Sequence, residues 1–180
     1  MQVLYPQKPR FRLGQLAAHV VVALIALVVI GGATRVMEAG LACPDWPLCY
    51  GSFLPGRQMN LQVFLEWFHR LDAFFVGIVL ITQFALSLYW AKALPKWLPW
   101  TYGFLTLLVA FQGFLGALTV LHLLPSLVVV AHLAVAFALV AIMSGVTQQL
   151  LSPGKSVFPL WLRSFGFVSL LSVIVQSLLG

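Results

Sequence analysis

The chain has little charge. Only 8% of its 180 residues are Asp, Glu, Lys or Arg, where a soluble domain carries about 25%. Acidic residues are the scarcest of these: Glu38, Asp45, Glu66 and Asp72 stand against ten Lys and Arg. Cysteine is reduced to Cys43 and Cys49, and histidine to His19, His69, His122 and His132. Each shortage excludes something. The charge is too low for a soluble surface or a solvated disordered chain, and the glycines follow no collagen-like period. The basic residues are too dispersed to track phosphates, so nucleic acid is not an expected partner despite a net charge of +6. Two cysteines alone cannot close a zinc site.

What the chain has instead is apolar length. Hydrophobic residues make up 62% of it, and mean hydropathy is +1.02. A transmembrane helix needs roughly 20 apolar residues, and five segments qualify: about 14–34, 62–90, 98–121, 125–147 and 159–180. The expected fold is an all-α integral membrane protein: a four-helix transmembrane bundle plus a fifth transmembrane helix. Lys8, Arg10 and Arg12 precede the first segment, which is longer than the roughly 7–15 residues of a signal core, so it reads as a retained span. If the spans alternate, Lys8, Arg10, Arg12, Lys92, Lys96, Lys155 and Arg163 share one side. Arg35, Arg57 and Arg70 fall on or near the other. The positive-inside rule puts the N-terminus in the cytoplasm. Residues 1–13 then form a cytoplasmic segment, 14–150 the four-helix bundle with an external loop at 35–61, and 151–180 an inner loop and fifth span. All four acids lie in that loop or at the start of span two, which marks the external side as the place to seek chemistry. Trp67, Trp90, Trp97 and Trp100 sit near span ends as interface anchors. Pro95 and Pro99 punctuate the turn between spans two and three, and Ser152-Pro153-Gly154 the turn after span four. The short stretch His122–Ser126 makes spans three and four antiparallel neighbours.

Ionisable groups inside a bilayer cost at least about 2.5–3.5 kcal/mol at mid-membrane, so each needs a reason. Glu66, His69 and Arg70 open span two, with spacings that put Glu66 on one face with both others. His69 lies about seven residues into span two, and His132 about seven into span four. Both imidazoles are therefore about 10 Å below the external surface. Two histidines at matched depth on two helices can ligate one metal between them. Haem iron fits best, with His69 and His132 as its ligands. His19 is at the other end and reads as interfacial, and His122 as an external cap. Arg35 and Arg70 flank the pocket, where either could pair with a haem propionate or with Glu38, Glu66 or Asp72. Gly31-Gly32 and Gly113/Gly116 suit close approach of helices, or of a flat macrocycle to backbone. Cys43 and Cys49, outside the cytoplasm, are expected to oxidise to a disulfide. Both a structural and a redox-active bond remain open from the sequence.

A possible repeat runs through the chain. Gln112–Gly116 and Gln176–Gly180 both read Q-x-x-L-G, and Arg12 precedes Gly32 much as Arg163 precedes Gly180. Span five therefore reads as the start of a second copy of span one, in a chain that ends where that copy's external loop would begin.

Together these motifs resemble the haem A synthase family of bacterial type. The resemblance rests on Gly31-Gly32-Ala33-Thr34-Arg35, on Gly40 to Gly51 with its Cys43-Pro44-Asp45-Trp46-Pro47-Leu48-Cys49 core, on Glu66-Trp67-Phe68-His69-Arg70, on Gln112 to Val120, and on His132. It implies an eight-span enzyme of two four-helix halves in the bacterial inner membrane. That enzyme oxidises the C8 methyl group of haem O to a formyl group, giving haem A for cytochrome oxidase. By position, His69 and His132 would be axial ligands, Glu66 the carboxylate beside the substrate haem, and Cys43 and Cys49 the external-loop pair. This chain would hold the substrate-haem half, and haem b would belong to the absent second half. Implied partners are haem O and its synthase, an electron acceptor or donor, the lipid bilayer, and a second copy through self-association. Two alternatives stay open: a bis-His membrane cytochrome b, and a quinone-linked thiol oxidoreductase using Cys43 and Cys49.

Overall fold

The computed structural model describes residues 7–152, together with Leu171 and Val175. The expected fifth span, Lys155, Arg163, most of the Ser152-Pro153-Gly154 turn and the Gln176–Gly180 copy of the repeat lie outside the described residues. Within them, four helices are long and apolar enough to cross a membrane: α1 (Gln7–Val36), α2 (Leu61–Tyr89), α3 (Leu98–Leu121) and α4 (Ser126–Leu151). Three match the apolar segments within a few residues. α1 starts earlier than the apolar run because its basic first turns stay helical. Pro9 falls in the first turn, where no backbone donor is lost. Arg10 Nη2 donates to the Gln149 carbonyl at 2.5 Å, satisfying the end of α4.

Successive helices pack as neighbours, and α4 returns against α1, giving a closed ring of four. A Cβ at Gly40 would lie 3.5 Å from Leu124, so the 37–60 loop and the α3–α4 turn share one end, here the loop half. The chain start and the α2–α3 turn share the other, the base half.

The base half is packed through one seam per helix, in alternating steps of four and three residues as in coiled coils. These are Leu13, Ala17, Val20 and Leu24 on α1, Val76, Leu80, Gln83 and Ser87 on α2, Leu98, Tyr102 and Leu105 on α3, and Leu139, Met143, Val146 and Leu150 on α4. Gly14 brings α4 close: a Cβ there would lie 2.6 Å from Leu151 Cδ2.

The loop is organised around a disulfide between Cys43 and Cys49. Both cysteines are buried, with Val63 in their cluster and Met59 and Trp67 packed against it. Asn60 caps α2, its side chain accepting from the Val63 N–H at 3.0 Å.

Candidate functional site

Extending the four seams into the loop half gives Leu27, Gly31 and Thr34 on α1, and Ala73, His69 and Glu66 on α2. On α3 it gives Val109, Gln112, Gly116 and Thr119, and on α4 Ala136, His132 and Val129. Large apolar residues give way to glycine, alanine and polar groups. Packing thins accordingly. No residue is buried on α2 between Glu66 and Val76, on α3 between Leu105 and Leu115, or on α4 before Leu139. The register that fills the base half carries less-buried positions in the loop half, and the two histidines stand on them.

His69 is eight residues into α2 and His132 six into α4, about 9–12 Å along each helix. The two rings thus stand within two residues of one another in distance from their helix starts. Each is half-buried, and the Nδ1 of each is fully buried without a hydrogen-bond partner. Each ring rests on a glycine. A Cβ at Gly31 would lie 3.2 Å from His69 Cε1, and one at Gly116 would lie 3.4 Å from His132 Cε1. Gln112 Nε2 donates to the His132 carbonyl at 2.9 Å, pinning the helix turn that carries the ring.

Glu66 and Arg70 are bound into the loop. Glu66 is 5% exposed. Its Oε2 accepts the Cys43 N–H at 2.8 Å, and its Oε1 pairs with Arg70. Arg70 Nη1 also donates to the carbonyls of Asp45 and Leu48, both at 2.6 Å, and Nη2 to that of Cys43 at 3.4 Å. Arg70 therefore spends its guanidinium on the loop and on Glu66. Arg35 ends α1, exposed at the same mouth. Asp45 supports the arrangement from within: its carboxylate accepts the Tyr50 N–H at 2.6 Å and the Gly51 N–H at 2.7 Å. The Gly51 N–H, with those of Tyr50 and Asp45 and the nearby Arg70 charge, holds the Asp45 carboxyl below the usual range.

Other residues do more local work. Trp67, expected as an interface anchor, donates its indole N–H to the Phe53 carbonyl at 2.7 Å and ties the loop to α2. His122 caps α3 through its backbone. The His19 ring contacts the Gln15 carbonyl at 2.8 Å, on the exposed side of α1. Sequence reasoning missed three contributors: Asp45 as the loop's internal cap, Gln112 as the grip on His132, and the division among the glycines. Only Gly31 and Gly116 face a histidine; a Cβ at Gly32 or Gly113 would meet open space. The step pattern of the seams was the signal that could have found them.

The donor set suits a flat, tall ligand held by two imidazoles. Among the described residues no three His, Cys, Asp or Glu come together as a metal-binding group, so the histidine pair is the available ligand set there. The model of the COX15-CtaA family, cytochrome oxidase assembly proteins, matches residues 15–180. The chain belongs to that family. Among relatives named heme A synthase, that of Shewanella oneidensis is 34% identical over 135 residues, covering 66% of this chain and 40% of the relative. That of Flavobacterium psychrophilum is 29% identical over 193 residues, covering 86% and 56%. That of Bradyrhizobium diazoefficiens is 29% identical over 194 residues, covering 89% and 54%. The chain thus spans about half the length of the relatives it matches. No solved structure matches it.

Proposed function

We propose that this chain forms the substrate-haem half of a haem A synthase, in which the C8 methyl group of haem O is oxidised to a formyl group. The observation that carries the reading is the histidine pair, His69 a few turns into α2 and His132 a few turns into α4, each ring set against a glycine of the preceding helix. The buried, unpartnered Nδ1 atoms and the lack of a side chain at Gly31 and Gly116 leave both imidazoles without a protein partner, which fits ligation of a haem iron. His69 and His132 would hold the iron, and Arg35 would meet a propionate. Bound haem O supplies the methyl carbon and a redox-active iron next to it.

The residues of the chain do the positioning. Glu66 lies one turn from His69, its carboxylate fixed by the Cys43 N–H and Arg70. Both oxygens already accept from fixed donors, which favours stabilising positive charge on the oxidised carbon over taking up a proton. Cys43 is 0% and Cys49 2% exposed, and that burial supports a structural disulfide over thiol exchange. A redox partner would complete the electron flow, and haem O with the synthase that supplies it would deliver the substrate.

The base half carries Lys8, Arg10, Arg12, Lys92 and Lys96. At the loop end Arg70 is neutralised by Glu66. That imbalance supports a cytoplasmic N-terminus in a bacterial inner membrane. Residues 14–150 would then be the haem-binding unit and 151–180 the start of a second repeat.

The test is haem extraction from the purified chain after expression beside a haem O supply, with chromatography and mass analysis. Haem O or haem A in the extract is the expected result. Haem b alone would favour a bis-His cytochrome, and no haem would sink the bis-His site. In a longer active form, Glu66→Gln should keep haem O bound and stop formyl production; continued haem A formation would remove Glu66 from the chemistry.

A further inference from the structure

α1 and α3 end in the same way, hydrogen bond for hydrogen bond. In α1, Thr34 Oγ1 donates to the Gly31 carbonyl at 2.7 Å, and in α3, Thr119 Oγ1 donates to the Gly116 carbonyl at 2.7 Å. The Ala39 N–H bonds the Thr34 carbonyl at 2.7 Å, and the Leu124 N–H bonds the Thr119 carbonyl at 2.7 Å. The Glu38 N–H reaches the Arg35 carbonyl, and the Leu123 N–H the Val120 carbonyl, both at 3.2 Å. This is the double-bonded Schellman ending, in which the residue after the cap turns left-handed. Glu38 and Leu123 do so, with φ 53° and 58°, although neither is glycine. A left-handed backbone strains a side-chain-bearing residue, and the chain bears that strain at both endings; α3 differs in that Leu124, next to Leu123, is left-handed as well, with φ 59°.

In each case the ending fixes a glycine seven residues before the left-handed residue, and the following helix lays a histidine on it. Gly31 of α1 takes His69 of α2, and Gly116 of α3 takes His132 of α4. The α1–α2 and α3–α4 hairpins are thus two copies of one device: glycine, threonine three residues on, left-handed stop, then a histidine returned against the glycine. We infer that Gly31 and Gly116 are positioning residues that set the ring planes of His69 and His132, making the pair symmetric about the bundle centre. The inference rests on the haem reading for its purpose, but the ring seating is independent of it. Gly31 is the tighter seat. A methyl group at 3.2 Å must push the His69 ring by a few tenths of an ångström, whereas 3.4 Å at Gly116 is ordinary contact. Gly32 and Gly113, on the same helices with open space around them, are matched controls.

The experiment uses the full chain in detergent micelles, with the two histidine rings followed by NMR before haem is added. Gly31→Ala should shift the Hε1 signal of His69, and Gly116→Val that of His132, while Gly32→Ala and Gly113→Ala leave both in place. Haem b is then added as the probe, and electron paramagnetic resonance and the midpoint potential are recorded. Gly31→Ala should change the low-spin signal and the potential, with the Gly32→Ala control matching wild type. Unmoved ring signals in Gly31→Ala and Gly116→Val, or equal shifts in variants and controls, would overturn the seating. Shifted rings with no low-spin haem signal in the wild-type chain would uphold the seating and overturn the haem reading instead.

Discussion

The two halves of the bundle follow one register with opposite contents. In the base half the seams carry Leu, Val, Met and Tyr, buried from all four helices. In the loop half the same seams carry Gly31, Thr34, Glu66, His69, Ala73, Gln112, Gly116, Thr119, His132 and Ala136, with Leu27, Val109 and Val129 among them, and fewer of them are buried. Large side chains close the helices on one another; small and polar ones in the same positions pack them less tightly. The base half supplies the rigidity on which the loop half rests.

Four measurements bear on this contrast, taken from the largest expected effect to the smallest. His69→Ala or His132→Ala should abolish the bis-His optical signature in a haem titration, while helix content by circular dichroism stays unchanged. Retention of that signature in either variant would break the functional half of the contrast. Next, Leu80→Ala in the packed half should cost about 2–5 kcal/mol in unfolding free energy. Ala136→Leu should cost little and instead block haem uptake, since position 136 lies one helical turn from His132. Equal destabilisation by the two would mean that both halves are packed alike. Third, replacing Cys43 and Cys49 by serine should loosen the loop by about 2 kcal/mol, the chain-entropy value for so short a ring. Hydrogen exchange at the Cys43 amide would report the change, with haem uptake retained. Unchanged exchange would remove the disulfide from the loop's support, and loss of thiol exchange with haem uptake retained would point to a redox role.

The smallest effect is a pH dependence. Asp45 has a folded-state pKa below its unfolded value of 3.8, so its contribution to loop order is fully present above that value. It is lost as pH falls through the lower folded value. Protection of the Tyr50 and Gly51 amides, taken relative to their intrinsic exchange rates, should fall below about pH 3.8 in wild type and be low at all pH values in Asp45→Asn. A pH-independent wild type would remove Asp45 from the loop's support.

The sequence was legible where one physical quantity decides. Apolar length against bilayer thickness placed three spans within a few residues, and missed only the early start of α1, which depends on Arg10 reaching Gln149 across the bundle. Similar distances from two helix starts, eight residues for His69 and six for His132, are the sequence's argument for treating them as a pair. The role of Arg70 was not legible, because its partners are backbone carbonyls of a loop whose path no local pattern encodes. The repeat was sought between span one and span five. The two equivalent helix endings, α1 and α3, share little more than a glycine and a threonine in sequence, and their likeness lies in backbone bonds.

The sequence alone determined that this chain is membrane-embedded and helical, and which two histidines stand at similar distances from their helix starts, because transfer free energy and helical rise act on each segment separately. Only the tertiary structure decided which glycines seat the histidines, which carboxylate meets Arg70 and the loop, and where the seams lose burial. Those outcomes depend on the rotation of each helix against its neighbours, and packing fixes that rotation only when all four are in place.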